Sequence, residues 1–274
     1  MVEKKSNKIL LTLITLFSAV LFLLPFYIVL INSFKTQKGF LLDVLGLPGQ
    51  YFTLNNYPEA FKKLDFISSF TNSLYITVIA VSLLLILGSM AAWMLVRTKT
   101  KLSMFIFMMF STAMLIPFQS VMLPLVRIMG KLNLLNPVGI IFMYLGFGAP
   151  LTIMLYHGFV KSVPVEIEEA AIIDGCGKFM TFWRVVFPLL KPISVTVSIL
   201  QAMWIWNDFL LPQLTINRPE WQTIPLKMFY FFGQFAKRWD LGLAGLVLAM
   251  LPIVLFYIAM QKYIIKGVMQ GSIK

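Results

Sequence analysis

The chain has 274 residues, 59% of them hydrophobic and 12% charged, with a mean hydropathy of +0.85 and a formal net charge of +12. Soluble domains are about half apolar and a quarter charged, so this balance excludes an ordinary soluble protein and places the chain in a lipid bilayer. The single cysteine, Cys176, excludes an internal disulfide and a thiolate metal cluster, and the basic residues are dispersed among apolar runs, which excludes a nucleic-acid-binding patch.

Several uncharged runs reach the roughly 20 residues that a helix needs to cross a hydrocarbon core. They lack the apolar–polar alternation of β-barrel strands. The expected fold is therefore all-α and integral to the membrane. Its six transmembrane helices are expected near Ile9–Ile31, Phe70–Val96, Met104–Val126, Pro137–Tyr156, Pro192–Pro212 and Gly242–Gln261, in one domain over residues 1–274.

The chain starts with Lys4, Lys5 and Lys8 before a long apolar run. That run is too long for a signal peptide and no small-residue cleavage site follows, so it reads as the first span. Six spans put both termini on one side. That side carries 13 of the 23 basic residues, a weak bias, but "RTKTK" after the second span sets Arg97, Lys99 and Lys101 against a membrane boundary. Basic residues there mark the cytoplasmic face, so both termini are expected in the cytoplasm. The loops Asn32–Ser69 and Gln213–Asp240 then face outward, with Trp221 and Trp239 suited to an interfacial belt or to packing on helix ends.

Between the fourth and fifth spans lies "EEAAIIDGCGKFMTFWRVVFPLLKP", Glu168 to Pro192. Pro164 suits a helix start, and Glu166, Glu168 and Glu169 offset the positive end of the helix dipole. Gly175 fits the left-handed residue that ends the helix. Ala170 and Ala171 are expected to leave one flank nearly flat, open to another backbone. Phe179, Phe182, Trp183 and Val186 then recur at i, i+3, i+4 and i+7, an amphipathic second helix that Pro188 and Pro192 end. By spacing alone this segment of about residues 161–191 is either a cytoplasmic helix-turn-helix docking element or a loop lying on the membrane surface.

The chemistry of an enzyme is not evident. No paired carboxylates, metal-ligand set or nucleophile with a base stands out, so no catalytic residue and no metal site is expected. His157 and Cys176 lack partners at ligand spacing. "GCGKF" lacks the hydroxyl and the preceding strand of a phosphate-binding loop, so any ATP that drives this chain must be bound by another polypeptide. Within the spans Asp208, in "WIWNDFLLPQL", is the one carboxylate or basic residue; a polar group there faces the interior, and Trp206, Asn207 and Asp208 become candidates for lining a solute pathway.

The segment resembles the E-A-A-x-x-x-G loop of ABC-importer permeases, with Glu169, Ala170, Ala171 and Gly175 on its core positions, Asp174 before the glycine, and Pro188 on the following proline. "TLNNYPEAF" (Thr53–Phe61), "WIWNDFLLPQL" (Trp204–Leu214) and "QKYIIKGVMQGSIK" (Gln261–Lys274) are similar to segments of the sugar-uptake class, the last to the tail of the smaller maltose-type subunit. Cys176 departs from the small residue, often alanine, found at its position.

The resemblance implies one of two pore-forming subunits in a bacterial or archaeal plasma membrane, paired as a heterodimer with a second permease. It further implies two ATPase subunits carrying ATP and magnesium, an extracytoplasmic solute-binding protein, and no cofactor on this chain. Glu169 would contact the ATPase, Ala170 and Ala171 would allow close approach, and Gly175 would make the turn. The tail, including Gly267 and Gly271, would reach toward the ATPase pair. The solute would be a sugar or oligosaccharide; a glycerol phosphodiester, polyol, amino acid or polyamine importer stays open, as does an ion-coupled carrier or channel.

Overall fold

In the computed structural model, which describes residues 5–234 and 238–272, the chain is helical almost throughout, with one isolated antiparallel bridge between Lys35 and Phe52. The α-helices, in chain order, are α1 (Lys5–Ser33), α2 (Gln37–Leu42), α3 (Asn56–Lys63), α4 (Phe66–Thr98), α5 (Lys101–Ala113), α6 (Phe118–Lys131), α7 (Pro137–Val160), α8 (Val165–Ile173), α9 (Lys178–Thr181), α10 (Phe187–Leu189), α11 (Lys191–Asn207), α12 (Leu210–Thr215), α13 (Ile224–Gln234) and α14 (Trp239–Ser272). A π-helical turn, Phe182–Val186, joins α9 to α10.

Four segments are each long and apolar enough to cross a membrane: Leu10–Ser33, Phe66–Thr98, Pro137–Val160 and Trp239–Gln261. Two further pairs qualify only when joined, α5 with α6 across a 104° bend and Lys178–Leu189 with α11 across a 76° bend, so the described residues hold between four and six spans.

The expected third span, Met104–Val126, is therefore not one straight helix. It breaks over residues 114–117, because Pro117 disfavours helical backbone at Ile116 and has no N–H to continue the ladder. The expected fifth helix, Pro192–Pro212, stops at Asn207, since Asp208 is extended with ψ 129° and a new helix begins at Leu210.

The chain packs as two compact units. One comprises residues 1–66 and 227–252. Here the expected loop Asn32–Ser69 is ordered by polar groups that serve the backbone: Asn56 Nδ2 donates to Ser33 O (2.9 Å) and Lys35 O (2.8 Å), and the buried Lys35 Nζ donates to Asp43 O (2.6 Å). Phe34 stacks on Phe52 with ring centroids 5.9 Å apart, and Phe40 stacks on Trp239 at 6.0 Å.

The other unit comprises residues 67–226 and 253–274. Its α4 and α7 approach closely through small residues: a Cβ at Gly88 would collide with the Thr152 methyl, and one at Gly148 would lie 2.7 Å from Leu84 Cδ1. One apolar cluster gathers around Ile76, Ala80, Leu84, Ile140 and Tyr144. A second, around Trp93, Tyr156, Val160, Phe182, Val186, Leu190 and Ile193, seals the end of the helices beside α8.

Candidate functional site

α8 is a nine-residue helix with Pro164 at its N-cap and Glu166 and Glu168 in its first turn. Its end is a complete Schellman motif. Gly175 sits at φ +85°, its N–H donates to Ile172 O (3.0 Å), and Cys176 N–H donates to Ala171 O (2.9 Å). The turn therefore needs a residue that tolerates positive φ, and glycine does so without the strain of a Cβ.

The faces of α8 differ. Glu169, Ala170, Asp174 and Pro188 of the candidate set are exposed, and Ile172 and Ile173 join them at 54% and 84% exposure. Ala171 turns inward at 9%, so the expected flat flank is formed by Ala170 without it; neighbours in a helix lie about 100° apart and cannot share a face. Of the expected amphipathic helix, Phe182 and Val186 are fully buried whereas Phe179 is 67% exposed, and Phe182–Val186 form a π turn.

Glu168 takes a role that its sequence position hides. It is 6% exposed and points beneath α8, where Arg97 on α4 donates Nε (3.0 Å) and Nη2 (2.7 Å) to Oε1. Trp93 Nε1 donates to Oε2 (2.9 Å), and Arg97 Nη2 also reaches Val163 O (2.9 Å). Both carboxylate oxygens are thus satisfied. In the sequence Arg97 stands out only as one of the basic residues beside an expected membrane boundary. The available signal was an arginine ending one span and a carboxylate in the charged segment between the fourth and fifth expected spans.

The Trp206, Asn207 and Asp208 candidates lie at the far end of α11 from α8, about 25 Å along the helix at 1.5 Å per residue. They do not converge on one surface. Trp206 is 7% exposed and packs edge-on against Phe70, with ring centroids 5.8 Å apart. Asn207 is exposed and donates to Met203 O (2.7 Å). Asp208 accepts from Tyr144 O–H (3.0 Å) and from Leu210 N–H (3.0 Å), so it ties the break after α11 to α7. Trp204, two residues before Trp206, is 41% exposed and meets Tyr144 edge-on at 5.4 Å.

Midway along α11, Gln201 is 2% exposed and donates Nε2 to Gly148 O (3.1 Å) and Thr152 Oγ1 (3.0 Å) on α7. Gln201 carries no charge, so the cost of an ionised group in lipid, which singles out Asp208 in the sequence, does not single it out. Among the described residues no group of three or more His, Cys, Asp or Glu side chains could hold a metal ion. The side chains beyond Gln261 lie outside the described residues, and with them the expected contact at Gly267 and Gly271 and the final Ile273 and Lys274.

Residues 84–270, which include α8, its glycine turn and all of α11, match the family described as binding-protein-dependent transport system inner membrane component. The chain belongs to this family. Three relatives extend the likeness over nearly the whole permease. The probable starch degradation products transport system permease protein AmyC of Thermoanaerobacterium thermosulfurigenes is 46% identical over 268 residues, covering 98% of this chain and 97% of its own. The melibiose/raffinose/stachyose import permease protein MelC of Bacillus subtilis is 38% identical, covering 98% of each. The multiple sugar-binding transport system permease protein MsmG of Streptococcus mutans is 34% identical over 93% of each. Among solved structures, a bacterial ABC transporter that imports the acidic polysaccharide alginate has a chain with the same fold, at TM-score 0.81 and 23% identity, over 96% of this permease and 98% of that chain.

Proposed function

We propose that this permease is one of two pore-forming subunits of an ATP-driven importer for an oligosaccharide, in a bacterial or archaeal plasma membrane, with α8 as the element that docks on a separate ATPase. The observation that carries the reading is the construction of α8. Glu169, Ala170, Ile172 and Ile173 are exposed and three of the four are apolar, while Glu168 and Ala171, one turn apart, hold one face against the helix ends. Such a helix is braced from below and presents an apolar surface outward, which suits a partner's cleft.

On this reading the permease has six spans, with α5–α6 and the α9–α11 pair each serving as a bent one, and both termini and α8 face the cytoplasm. The permease itself catalyses nothing and holds no cofactor; ATP and magnesium belong to two ATPase subunits. Glu169, Ala170, Asp174 and Gly175 meet the ATPase or shape the turn, and a second, unlike permease completes the pore. A soluble extracytoplasmic protein delivers the solute, as in the alginate importer solved with an oligosaccharide-bound periplasmic protein. The oligosaccharide class follows from the sugar-transport names of AmyC, MelC and MsmG. Loaded binding protein and ATP each favour the outward-open state, and hydrolysis restores the inward-open one.

The test is co-purification in mild detergent with the chain tagged at its N-terminus. The wild type is expected to bring down an ATPase and a second permease. Ala170→Trp is expected to retain the second permease and lose the ATPase, since the substitution lies on the exposed face. A wild-type chain that purifies alone and transports when reconstituted alone would overturn the reading in favour of a carrier or channel.

A further inference from the structure

We propose that the permease carries a built site for an anionic phospholipid at the end of α4, α5 and α7 nearest α8. The geometry is a cavity of about 450 Å³ where these three helices end or begin. Its rim holds three exposed lysines, Lys99, Lys101 and Lys161, and its wall is apolar, made by Val96, Met104 and Phe107. Cationic rim and apolar wall together match a phosphate headgroup joined to acyl chains. Free phosphate would use the rim alone.

The cations are available. Among the described residues none of the three lysines pairs with a carboxylate, in contrast to Arg97 two residues earlier, which is committed to Glu168. α5 begins in the cavity, so its N-terminal dipole adds to the positive field. Thr100 caps that helix by accepting from Ser103 N–H (3.1 Å), and the two hydroxyls lie 2.8 Å apart on the cavity lining. Lys99 is held at φ +49°, an uncommon conformation for a side chain other than glycine, asparagine or aspartate, and it sits immediately before the cap.

The acyl chains have a route as well. Met104 and Met108 lie one turn apart on α5, at 66% and 51% exposure, and lead from the cavity along the helix. His157, stacked on Phe107 with ring centroids 3.8 Å apart, closes the cavity on the α7 side. Basic pockets between helices at the anionic leaflet are the physical form that headgroup recognition takes, because the low-dielectric wall strengthens the attraction while the cations replace the headgroup's counterions.

The site does not depend on the ATPase, so it can stand or fall apart from the transport reading. The experiment is native mass spectrometry of the full chain, in the assembly in which it is extracted, after incubation with phosphatidylglycerol and phosphatidylcholine. Wild type is expected to retain phosphatidylglycerol preferentially. Affinity is expected to fall roughly fivefold for each of Lys99→Gln, Lys101→Gln and Lys161→Gln, and on the order of a hundredfold for all three together.

Val96→Trp, which keeps every charge and fills the cavity, is expected to lose the lipid as well, which removes any concern that neutralising lysines has altered insertion. Lys178→Gln with Lys191→Gln, a loss of two charges outside the cavity, is expected to change nothing. Inorganic phosphate in millimolar excess is expected not to displace the lipid; displacement would assign the rim to a free anion and overturn the lipid proposal. Equal retention by the triple variant, or equal loss by the Lys178 and Lys191 control, would overturn it too.

Discussion

Arg97, on the last turn of α4, donates two hydrogen bonds to one oxygen of Glu168 on α8, 71 residues later in the chain. The pair is 18% and 8% exposed at its side chains, so it is a largely buried ion pair that fastens α8 to a membrane-spanning helix. Covalent connection ties α8 only to α7 and α9, whereas this pair adds a direct link to α4.

Removing one partner strands the other in a poorly solvated place. Arg97→Ala is expected to cost on the order of 3 kcal/mol, seen as a lower unfolding temperature of the purified chain. Exchanging both residues for leucine is expected to recover most of that stability and to leave ATPase binding in place while uptake into vesicles falls. Uptake at the wild-type rate in the double variant would show that α4 receives nothing through this pair.

Trp93 supplies the second half of the same arrangement. Trp93→Phe keeps most of the apolar contact with Phe182, whose ring centroid is 5.4 Å away, but deprives Glu168 Oε2 of its donor. The expected loss is about 1–2 kcal/mol, less than for Arg97→Ala, and the ranking of the two unfolding temperatures checks it.

Gly175 is the position where the turn after α8 has no substitute. At φ +85° a β-branched side chain is strained, so Gly175→Val is expected to cost at least about 1 kcal/mol locally and to tilt α8. Nothing lies within 4 Å of a Cβ added there, so the effect comes from backbone conformation and not from collision. Co-purified ATPase should drop while insertion in the membrane persists; unchanged ATPase recovery would contradict the hinge.

Gln201 clamps α11 to α7 through Gly148 O and Thr152 Oγ1. Gln201→Leu is expected to cost about 0.6–1.7 kcal/mol, the range for hydrogen bonds between helices in a membrane. Gly88→Leu, which drives a side chain into Thr152 at the neighbouring contact of α4 and α7, is expected to cost more. Thermal unfolding in one detergent orders the two, and a reversed order would mean that close packing matters less here than the clamp.

Tyr144→Phe tests the break after α11. It removes the O–H that reaches Asp208 while leaving the ring against Trp204, so the backbone bond from Leu210 N–H to Asp208 must hold the break alone. Reduced uptake with a normal amount of assembled protein is the expected outcome, since the end of α11 would lose its tie to α7.

Much of this protein was determined by local rules. Long uncharged runs specify membrane-spanning helices because an unpaired backbone group in lipid costs too much for any other form. The end of α8 was readable at Gly175 because a left-handed turn selects glycine, whereas Pro188 and Pro192, expected to end a helix, instead lie in the first turns of α10 and α11, where a missing N–H costs nothing. Among the candidate positions Gly175 is the one whose requirement is local, whereas Glu169 and Ala170 were marked by the resemblance of their motif.

What only the tertiary structure decided are the pairings between residues far apart in the chain. Periodicity placed three glutamates at the start of one helix, but nothing local says that Glu168 is the one beneath which Arg97 and Trp93 lie, or that Ala171 faces inward and Ala170 outward. The stop at Asn207 depends likewise on a distant residue, since Tyr144 on α7 donates its O–H to Asp208. A buried charge or amide is tolerable only when a specific partner meets it, and the identity of that partner is a property of the packed helices, not of either segment alone.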